Sequence, residues 1–268
     1  MTADTSENPF RPRVRGSNKD WVDDMIREEE AEIEGAAPSS DFAKTNQDPG
    51  LVNAEARKIV AQKLMLEREK DRASRDKLSG IRNRRWFDGK LDELQSRADN
   101  SPDSNLWLIM FDIDKFGDFN KSYGHPGGDK VLGLLQKVFR KTEFAARYGG
   151  EEIALLADLN DIRTEIPLSD EEKVKAITDR VSTTMRLLSR GTMAELTPIE
   201  GAPTDGIRKE VTLSYGASKY VPLENREAVK TRASAGILKA KQEGRDRGFI
   251  TKPKGEGINY QPIQQIAA

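Results

Sequence analysis

The chain has 268 residues, and its 44 Lys and Arg residues nearly balance its 45 Asp and Glu residues, which leaves a net charge of −1. A balanced chain has no overall attraction to a polyanion, which argues against a dedicated nucleic-acid-binding protein. The sequence has no cysteine and a single histidine, His125, so it excludes disulfides, thiolate zinc sites, cysteine nucleophiles and any site that needs two imidazoles.

Residues 1–50 are rich in Asp, Glu, Ser, Asn and Pro and have few large apolar side chains. Such a segment buries too little apolar surface to offset the entropy lost on ordering, so we expect a mostly disordered leader. A short helix with Ser17 or Asn18 as its cap is the alternative for part of this leader. The N-terminus has no signal-peptide core, and the longest apolar run, residues 106–111, is far shorter than the roughly 20 residues that span a bilayer. We therefore expect a cytoplasmic protein without a membrane span.

Residues 51–76 have the pattern of a helix with a contact surface for a second helix. Apolar residues recur at every seventh position, at Val52, Ile59, Leu66 and Ala73. A repeat of seven is what a seam between two helices requires, but Lys63 and Lys70 interrupt its second half. We expect a short connecting or dimerising helix. It either pairs two copies of the chain or relays the signal of an unidentified upstream regulator.

Residues 77–252 alternate between helical and strand patterns, which is typical of an α/β domain. Predicted helices lie at residues 83–98, 115–122, 128–142, 169–189 and 225–243. Predicted strands lie at residues 106–113, 144–148, 153–157, 211–218 and 248–251. Gly149 and Gly150 lie between two of these strands and predict a hairpin turn with positive φ angles. We expect residues 253–268 to be a flexible tail.

Three polar segments interrupt this apolar framework, and they are the candidates for chemistry. They are Asp112-Ile113-Asp114 at a strand end, residues 149–152 at the hairpin turn and residues 241–245 at the end of a helix. Magnesium prefers carboxylate oxygens and usually binds together with substrate phosphates. Lys241 and Arg245 are four residues apart, so a continuous helix would present both on one face toward a triphosphate. Carboxylates, a metal ion and cations are the parts of a phosphoryl- or nucleotidyl-transfer site.

Each segment also has an ordinary structural interpretation. Asp114 precedes a predicted helix and fits the N-cap position, and the ordinary interpretation of His125 is a loop residue without a functional role. A Gly-Gly turn with two Glu residues is often a solvated hairpin, and Lys241 and Arg245 fit ordinary surface charges. The sequence has no GxxxxGK[ST] phosphate loop, which excludes the P-loop mode of GTP binding.

The order and spacing of five motifs resemble the GGDEF family, over residues 75–250. The motifs are DKLSGIRNRR (76–85), FDIDKFGDFNKSYGHPGGD (111–129), RYGGEEI (147–153), VTLSYGAS (211–218) and AKQEGRDR (240–247). This resemblance implies an α/β fold of the palm-like α+β type, the nucleotidyl-cyclase fold. In this fold a central, antiparallel-rich sheet is surrounded by helices. An N-terminal helical extension precedes the domain in the chain. It also implies a diguanylate cyclase, which condenses two GTP molecules into cyclic di-GMP with Mg²⁺, or Mn²⁺ in its place, across a homodimer.

The resemblance assigns roles to residues that match the family motifs. It implies that Asp112, Glu151 and the Ile113 carbonyl bind the metal. Glu152 joins Asp112 and Glu151 as a required catalytic residue, either as a base or as a neighbour of the metal. The remaining assignments are guanine recognition by Asn120 and Asp129 and phosphate binding by Lys241 and Arg245.

The sequence departs from the family pattern at several positions. Gly117 replaces a phosphate-side Lys, Lys121 an Asp, Ile153 a Phe and Leu238 a Tyr. Ile153 is expected to be a change in packing only. The R-x-x-D product-inhibition motif has a degenerate form here, in which Arg140 is followed by Glu143 instead of Asp.

Two other functions are compatible with the motifs. The first is a catalytically silent GGDEF domain that binds GTP or cyclic di-GMP and regulates a partner, although such domains typically lose the turn that Glu151 and Glu152 preserve. The second is a cyclase with a different cyclic dinucleotide product, which the presence of Asp129 disfavours.

Overall fold

The computed structural model describes residues 49–101, 103–141, 143–162, 166–201, 210–254 and 257–263. The predicted leader, residues 1–50, lies outside these ranges except for its last two residues. The chain divides into two compact units, residues 1–73 and 74–268.

The described part of the first unit is one helix, α1, at Pro49–Ala73. Helix α1 covers residues 51–73 of the helix predicted at 51–76, while residues 74–76 belong to the second unit. Lys70 and Arg72 lie in the last turn, where positive charge interacts favourably with the helix dipole. Ile59 and Leu66, from the predicted seam, have exposed side chains.

The second unit is a seven-stranded sheet with helices on both faces. The strands, in chain order, are β1 (Arg82–Asn83), β2 (Leu106–Ile113), β3 (Phe144–Arg147), β4 (Glu152–Asp158), β5 (Leu213–Lys219), β6 (Gly248–Lys254) and β7 (Gly257–Ile263). The helices are α2 (Arg84–Asp99), α3 (Phe116–Gly133), α4 (Leu135–Val138), α5 (Asp170–Ala194) and α6 (Arg226–Gln242). The order across the sheet is β1-β3-β4-β2-β5-β6-β7, and only β1–β3 and β5–β6 are parallel among these described pairings. The predicted antiparallel-rich α/β fold is confirmed.

The central strand β2 is buried along its whole length because the sheet is covered on both faces. Its side chains alternate between two apolar clusters. Trp107, Ile109 and Phe111 pack on one face, and Leu108 and Met110 pack on the other. Such double burial explains why β2 is a continuous apolar run instead of an alternating one.

The boundaries of three predicted helices differ clearly from those observed. The helix predicted at 169–189 continues to Ala194, and it begins at a capping box in which Ser169 and Glu172 satisfy each other's backbone N–H groups. The helices predicted at 115–122 and 128–142 are divided differently: α3 continues from Phe116 to Gly133 through a break at Gly124, and α4 ends at Val138 because Phe139 already has an extended backbone.

The prediction of a flexible tail over residues 253–268 is wrong for the described part of that segment. Residues Gly257–Ile263 form β7, which pairs antiparallel with β6 along its full length. Ile263 is buried, whereas most of the strand is exposed. An exposed, polar edge strand lacks the apolar alternation by which strands are predicted, so the sequence did not indicate it.

Candidate active site

The sheet brings the two predicted carboxylate segments together at one end of β2. Asp112 lies opposite Glu152 in the antiparallel register of β2 and β4, and the Ile113 N–H donates to the Glu151 carbonyl at 3.2 Å. Gly149 packs against the Glu152 carboxylate, since a Cβ at that position would lie 2.5 Å from Glu152 Oε2 and would displace it. The sequence-predicted association of the strand end with the glycine turn is therefore present in the fold.

Arg147 holds the turn in place, and sequence reasoning gave this residue no role. Its Nε and Nη2 donate to the Gly150 carbonyl at 2.9 and 2.7 Å, and its Nη1 donates to Asp76 Oδ1 at 3.2 Å. Burial acts to raise the pKa of Asp76, but hydrogen bonds from Ser79 and the Arg147 charge leave this pKa below its usual value. Arg147 and Asp76 belong to two of the five motifs, and this was the signal in the sequence that could have pointed to them.

The positive φ angles predicted at Gly149 and Gly150 are absent.

The site has more negative than positive charge around a buried carboxylate. The Asp112 side chain is 7% exposed, and Lys241 Nζ lies 2.7 Å from its Oδ2. Burial raises the pKa of Asp112; Lys241 opposes this shift, and the charges of Glu151 and Asp114 add to it. A divalent cation would relieve this excess of negative charge, and carboxylates are the ligands that Mg²⁺ prefers.

No cluster of three or more metal-ligating side chains occurs in the described ranges. Mg²⁺ is usually bound by one or two protein carboxylates, and water and substrate phosphates fill its remaining positions. The donor set of Asp112 and Glu151 therefore fits that ion.

Asn120 and Asp129 lie on opposite sides of a break in α3. The break is at Gly124, whose φ and ψ of 72° and 169° are not helical, and Pro126 follows it. Gly128 packs directly against Asn120, since a Cβ on Gly128 would lie 2.0 Å from Asn120 Oδ1. Asn120 Oδ1 is buried and has no hydrogen-bond partner among the described residues. A buried acceptor without a donor is costly, and it fits a site whose donor arrives with a ligand.

The predicted N-cap role of Asp114 is wrong. The N-cap position of α3 belongs to Lys115, which has φ 55° and makes no side-chain cap bond. The Asp114 carboxylate instead accepts from Thr212 Oγ1 at 2.8 Å, Ser214 Oγ at 2.6 Å and the Asp246 N–H at 3.0 Å.

Lys241 and Arg245 do not share a helical face, in contrast to the prediction. Helix α6 ends at Gln242, so Lys241 lies in its last turn and Arg245 in the turn that follows. Arg245 has φ 67°, and its N–H donates to the Ala240 carbonyl at 2.8 Å. The structure thus places Lys241 on the helix, next to Asp112, and Arg245 beyond the helix end, in a left-handed backbone conformation.

The Glu143 carboxylate of the degenerate product-inhibition motif makes hydrogen bonds within the fold. Glu143 accepts from the Arg140 N–H at 3.0 Å and from Arg180 Nη2 at 2.5 Å. Burial lowers the pKa of Arg180, and the Glu143 charge opposes this effect. Both oxygens of the Glu143 carboxylate are therefore occupied within the fold.

The other departures from the family pattern lie in different environments. Ile153 is fully buried in the apolar cluster beside β2, whereas Leu238 is exposed. Gly117 is exposed, and a Cβ there would have no atom within 4 Å. Lys121 pairs with Asp118 at 3.0 Å on the surface.

Across the described residues, no helix has the length and apolar character needed to cross a bilayer.

The comparison with protein families matches residues 73–247 to "Diguanylate cyclase, GGDEF domain". The diguanylate cyclase DgcP of Pseudomonas aeruginosa is 31% identical over 187 residues, which cover 68% of this chain and 24% of that protein. The diguanylate cyclase VdcA of Vibrio cholerae is 30% identical over 200 residues, which cover 73% of this chain and 52% of that protein. The chain thus spans at most about half the length of these two relatives. Among solved structures, the diguanylate cyclase SiaD of Pseudomonas aeruginosa, in complex with its activator SiaC, matches with a TM-score of 0.53 and 25% identity, covering 85% of this chain and 79% of that chain.

Proposed function

The chain belongs to the GGDEF family, and on this premise we propose that it is a diguanylate cyclase, which condenses two GTP molecules into cyclic di-GMP and releases two pyrophosphates. One observation supports this most directly. Buried Asp112, paired with Lys241 at 2.7 Å, lies opposite Glu152 in the sheet register, and the adjacent Ile113 N–H donates to the Glu151 carbonyl. This arrangement combines metal-binding carboxylates with a cation for phosphates, as nucleotidyl transfer requires.

We propose that Asp112, Glu151 and the Ile113 carbonyl hold Mg²⁺, or Mn²⁺ in its place. When bound, the ion neutralises phosphate charge and lowers the pKa of the attacking hydroxyl. Glu152 lies opposite Asp112 in the sheet and is the candidate to accept a proton or to orient the neighbouring carboxylates. Lys241 is one-third exposed, so its ammonium group can turn from Asp112 to a triphosphate, which Arg245 binds as well.

Guanine recognition is proposed for Asn120 and Asp129. The buried, unpartnered Oδ1 of Asn120 is suited to accept from an N–H group of the base. Guanine offers N1–H and the N2 amine on one edge, and a carboxylate at Asp129 suits the same edge. Adenine does not present these donors together, so the pair favours GTP over ATP.

The proposed reaction requires two copies of the domain. The 3′-hydroxyl of one GTP attacks the α-phosphorus of the other, the new phosphodiester forms, and pyrophosphate leaves. Each copy holds one GTP, so a homodimer must form, and α1 is the candidate to hold it or to transmit the signal of an upstream regulator. Because a weak seam implies a monomer–dimer equilibrium, specific activity is expected to rise with enzyme concentration. The proposed location is the cytoplasm.

The decisive experiment is to incubate the pure chain with GTP and Mg²⁺ and to identify the product by mass spectrometry. We expect cyclic di-GMP from the wild type, none from Glu151→Gln, and wild-type amounts from Glu93→Gln, a control on the exposed surface of α2. GTP binding without product would support the silent domain instead. A cyclic dinucleotide of different mass would support the altered cyclase.

A further inference from the structure

The turn after α6 has an unusual backbone. Three successive residues, Gly244, Arg245 and Asp246, have φ angles of 106°, 67° and 55°. For residues other than glycine this left-handed conformation is sterically unfavourable. The Arg245 N–H donates to the Ala240 carbonyl at 2.8 Å and so caps the helix end, and further contacts hold the residue that follows Arg245.

Those contacts come from distant parts of the chain. The Asp246 N–H donates to Asp114 Oδ2 at 3.0 Å, and the Asp246 carboxylate binds Arg186 of α5. Asp114 thereby contacts the residue directly after Arg245. A change at Asp114 would act on the backbone that carries the Arg245 guanidinium.

Asp114 is itself held firmly in place. Buried Thr212 and Ser214 donate their hydroxyls to its two oxygens at 2.8 and 2.6 Å, and its own N–H donates to the Thr212 carbonyl at 2.9 Å. With the Asp246 N–H, the carboxylate accepts three hydrogen bonds from protein groups. These bonds explain how Asp114 can serve the fold beside the proposed metal site without serving as a ligand.

We infer that Asp114 is a positioning residue for substrate binding. It locks the left-handed turn so that Arg245 meets the triphosphate at a defined place relative to Asp112, which lies two residues earlier on the same strand end. This inference rests on the proposed function, since it takes the triphosphate of GTP as the ligand of Arg245.

The test compares Asp114→Ala with Asp114→Asn in the full chain. The amide oxygen of Asn can still accept from the Asp246 N–H and the Thr212 hydroxyl, while its NH₂ donates to Ser214 Oγ. We expect Asp114→Ala to weaken GTP binding, measured by calorimetry, and to raise KM for GTP by about tenfold. This is the effect of losing one hydrogen bond to a charged group, here the bond between Arg245 and the triphosphate. Asp114→Asn should keep GTP affinity within about threefold of the wild type.

A second comparison tests whether Asp114 acts through Arg245. If it does, the double variant Asp114→Ala/Arg245→Ala should bind GTP no more weakly than Arg245→Ala. Losses that add in the double variant would overturn the inference. Unchanged GTP affinity in Asp114→Ala would overturn it as well. A third refuting result is a loss of turnover in Asp114→Asn that equals the loss in Asp114→Ala, because the negative charge itself would then be essential.

Circular dichroism and thermal unfolding verify that each variant folds. If Asp114→Ala does not fold, Thr212→Val replaces it, because this variant keeps the carboxylate but removes one hydroxyl that orients it. Severalfold weaker GTP binding supports the inference, and unchanged binding overturns it. Wild-type protein that binds GTP but makes no cyclic di-GMP refutes the cyclase activity only, and wild-type protein that does not bind GTP refutes both proposals.

Discussion

Replacing Gly128 with Ala is expected to displace the proposed guanine-reading amide while leaving the fold intact. A Cβ at position 128 would lie 2.0 Å from Asn120 Oδ1, 3.0 Å from Asn120 Cγ and 3.1 Å from Phe116 Cζ. Phe116 is a buried core side chain, whereas the Asn120 amide is the free end of a short side chain. The amide should therefore move. Ala is also the better helix former by about 1 kcal/mol, so we expect no large fall in Tm.

The size of the effect follows from the hydrogen bond that Asn120 would lose. Leaving a buried donor of the base unpaired costs about 1–3 kcal/mol. At 1.4 kcal/mol for each factor of ten, kcat/KM for GTP should fall roughly fivefold to 150-fold. The measurement is steady-state production of cyclic di-GMP at matched protein concentration.

Two controls make this result specific. Gly133→Ala lies in the same helix, and the nearest atom to its Cβ is the Leu78 carbonyl oxygen at 3.8 Å, so activity should be unchanged. In an Asn120→Ala background, Gly128→Ala should cost nothing more, because the group that it displaces is already gone. A Gly128→Ala enzyme with wild-type kcat/KM, or a loss that adds to that of Asn120→Ala, would refute the proposed role of the amide.

Three further predictions concern other parts of the domain. Gly117→Lys should lower KM for GTP severalfold by restoring a cation where there is space for it, and Gly117→Ala should not; equal KM values in the two variants would contradict a missing phosphate contact. Cyclic di-GMP should inhibit the wild type weakly, because Arg180 and the Arg140 N–H already engage Glu143, and strong inhibition that disappears in Arg140→Ala would show otherwise. Burial and Asp99 raise the pKa of Tyr220 from 10.0 to about 12, so its contribution to stability is present below pH 10 and is lost between pH 10 and 12. Denaturant titrations should show a smaller loss of unfolding free energy over that range in Tyr220→Phe, and equal losses would refute the assignment.

Local patterns in the sequence determined much of the fold and the candidate site. The apolar run of β2 was predicted with its observed bounds, Leu106–Ile113, because a strand buried on both faces must be apolar throughout. Helix starts were predicted closely where a side chain caps the first turn, as Asn83 and Asn225 do. The association of Asp112 with Glu151 was implied in advance by the resemblance of their two motifs to the GGDEF family.

Only the tertiary structure decided the roles of Asp114, Arg245 and β7. The partners of the Asp114 carboxylate lie 98, 100 and 132 positions away, so the local pattern favoured an N-cap that the fold does not use. Arg245 fitted a helical repeat of four, but it lies beyond the helix end in a left-handed turn, whose next residue, Asp246, is bound by the distant Asp114 and Arg186. Strand β7 forms because β6 offers an edge with unpaired backbone groups, and pairing of that kind needs no apolar pattern in the strand that joins it. Sequence periodicity reports contacts within a few residues and the burial of a face, whereas hydrogen bonds between distant segments form only after the sheet has assembled.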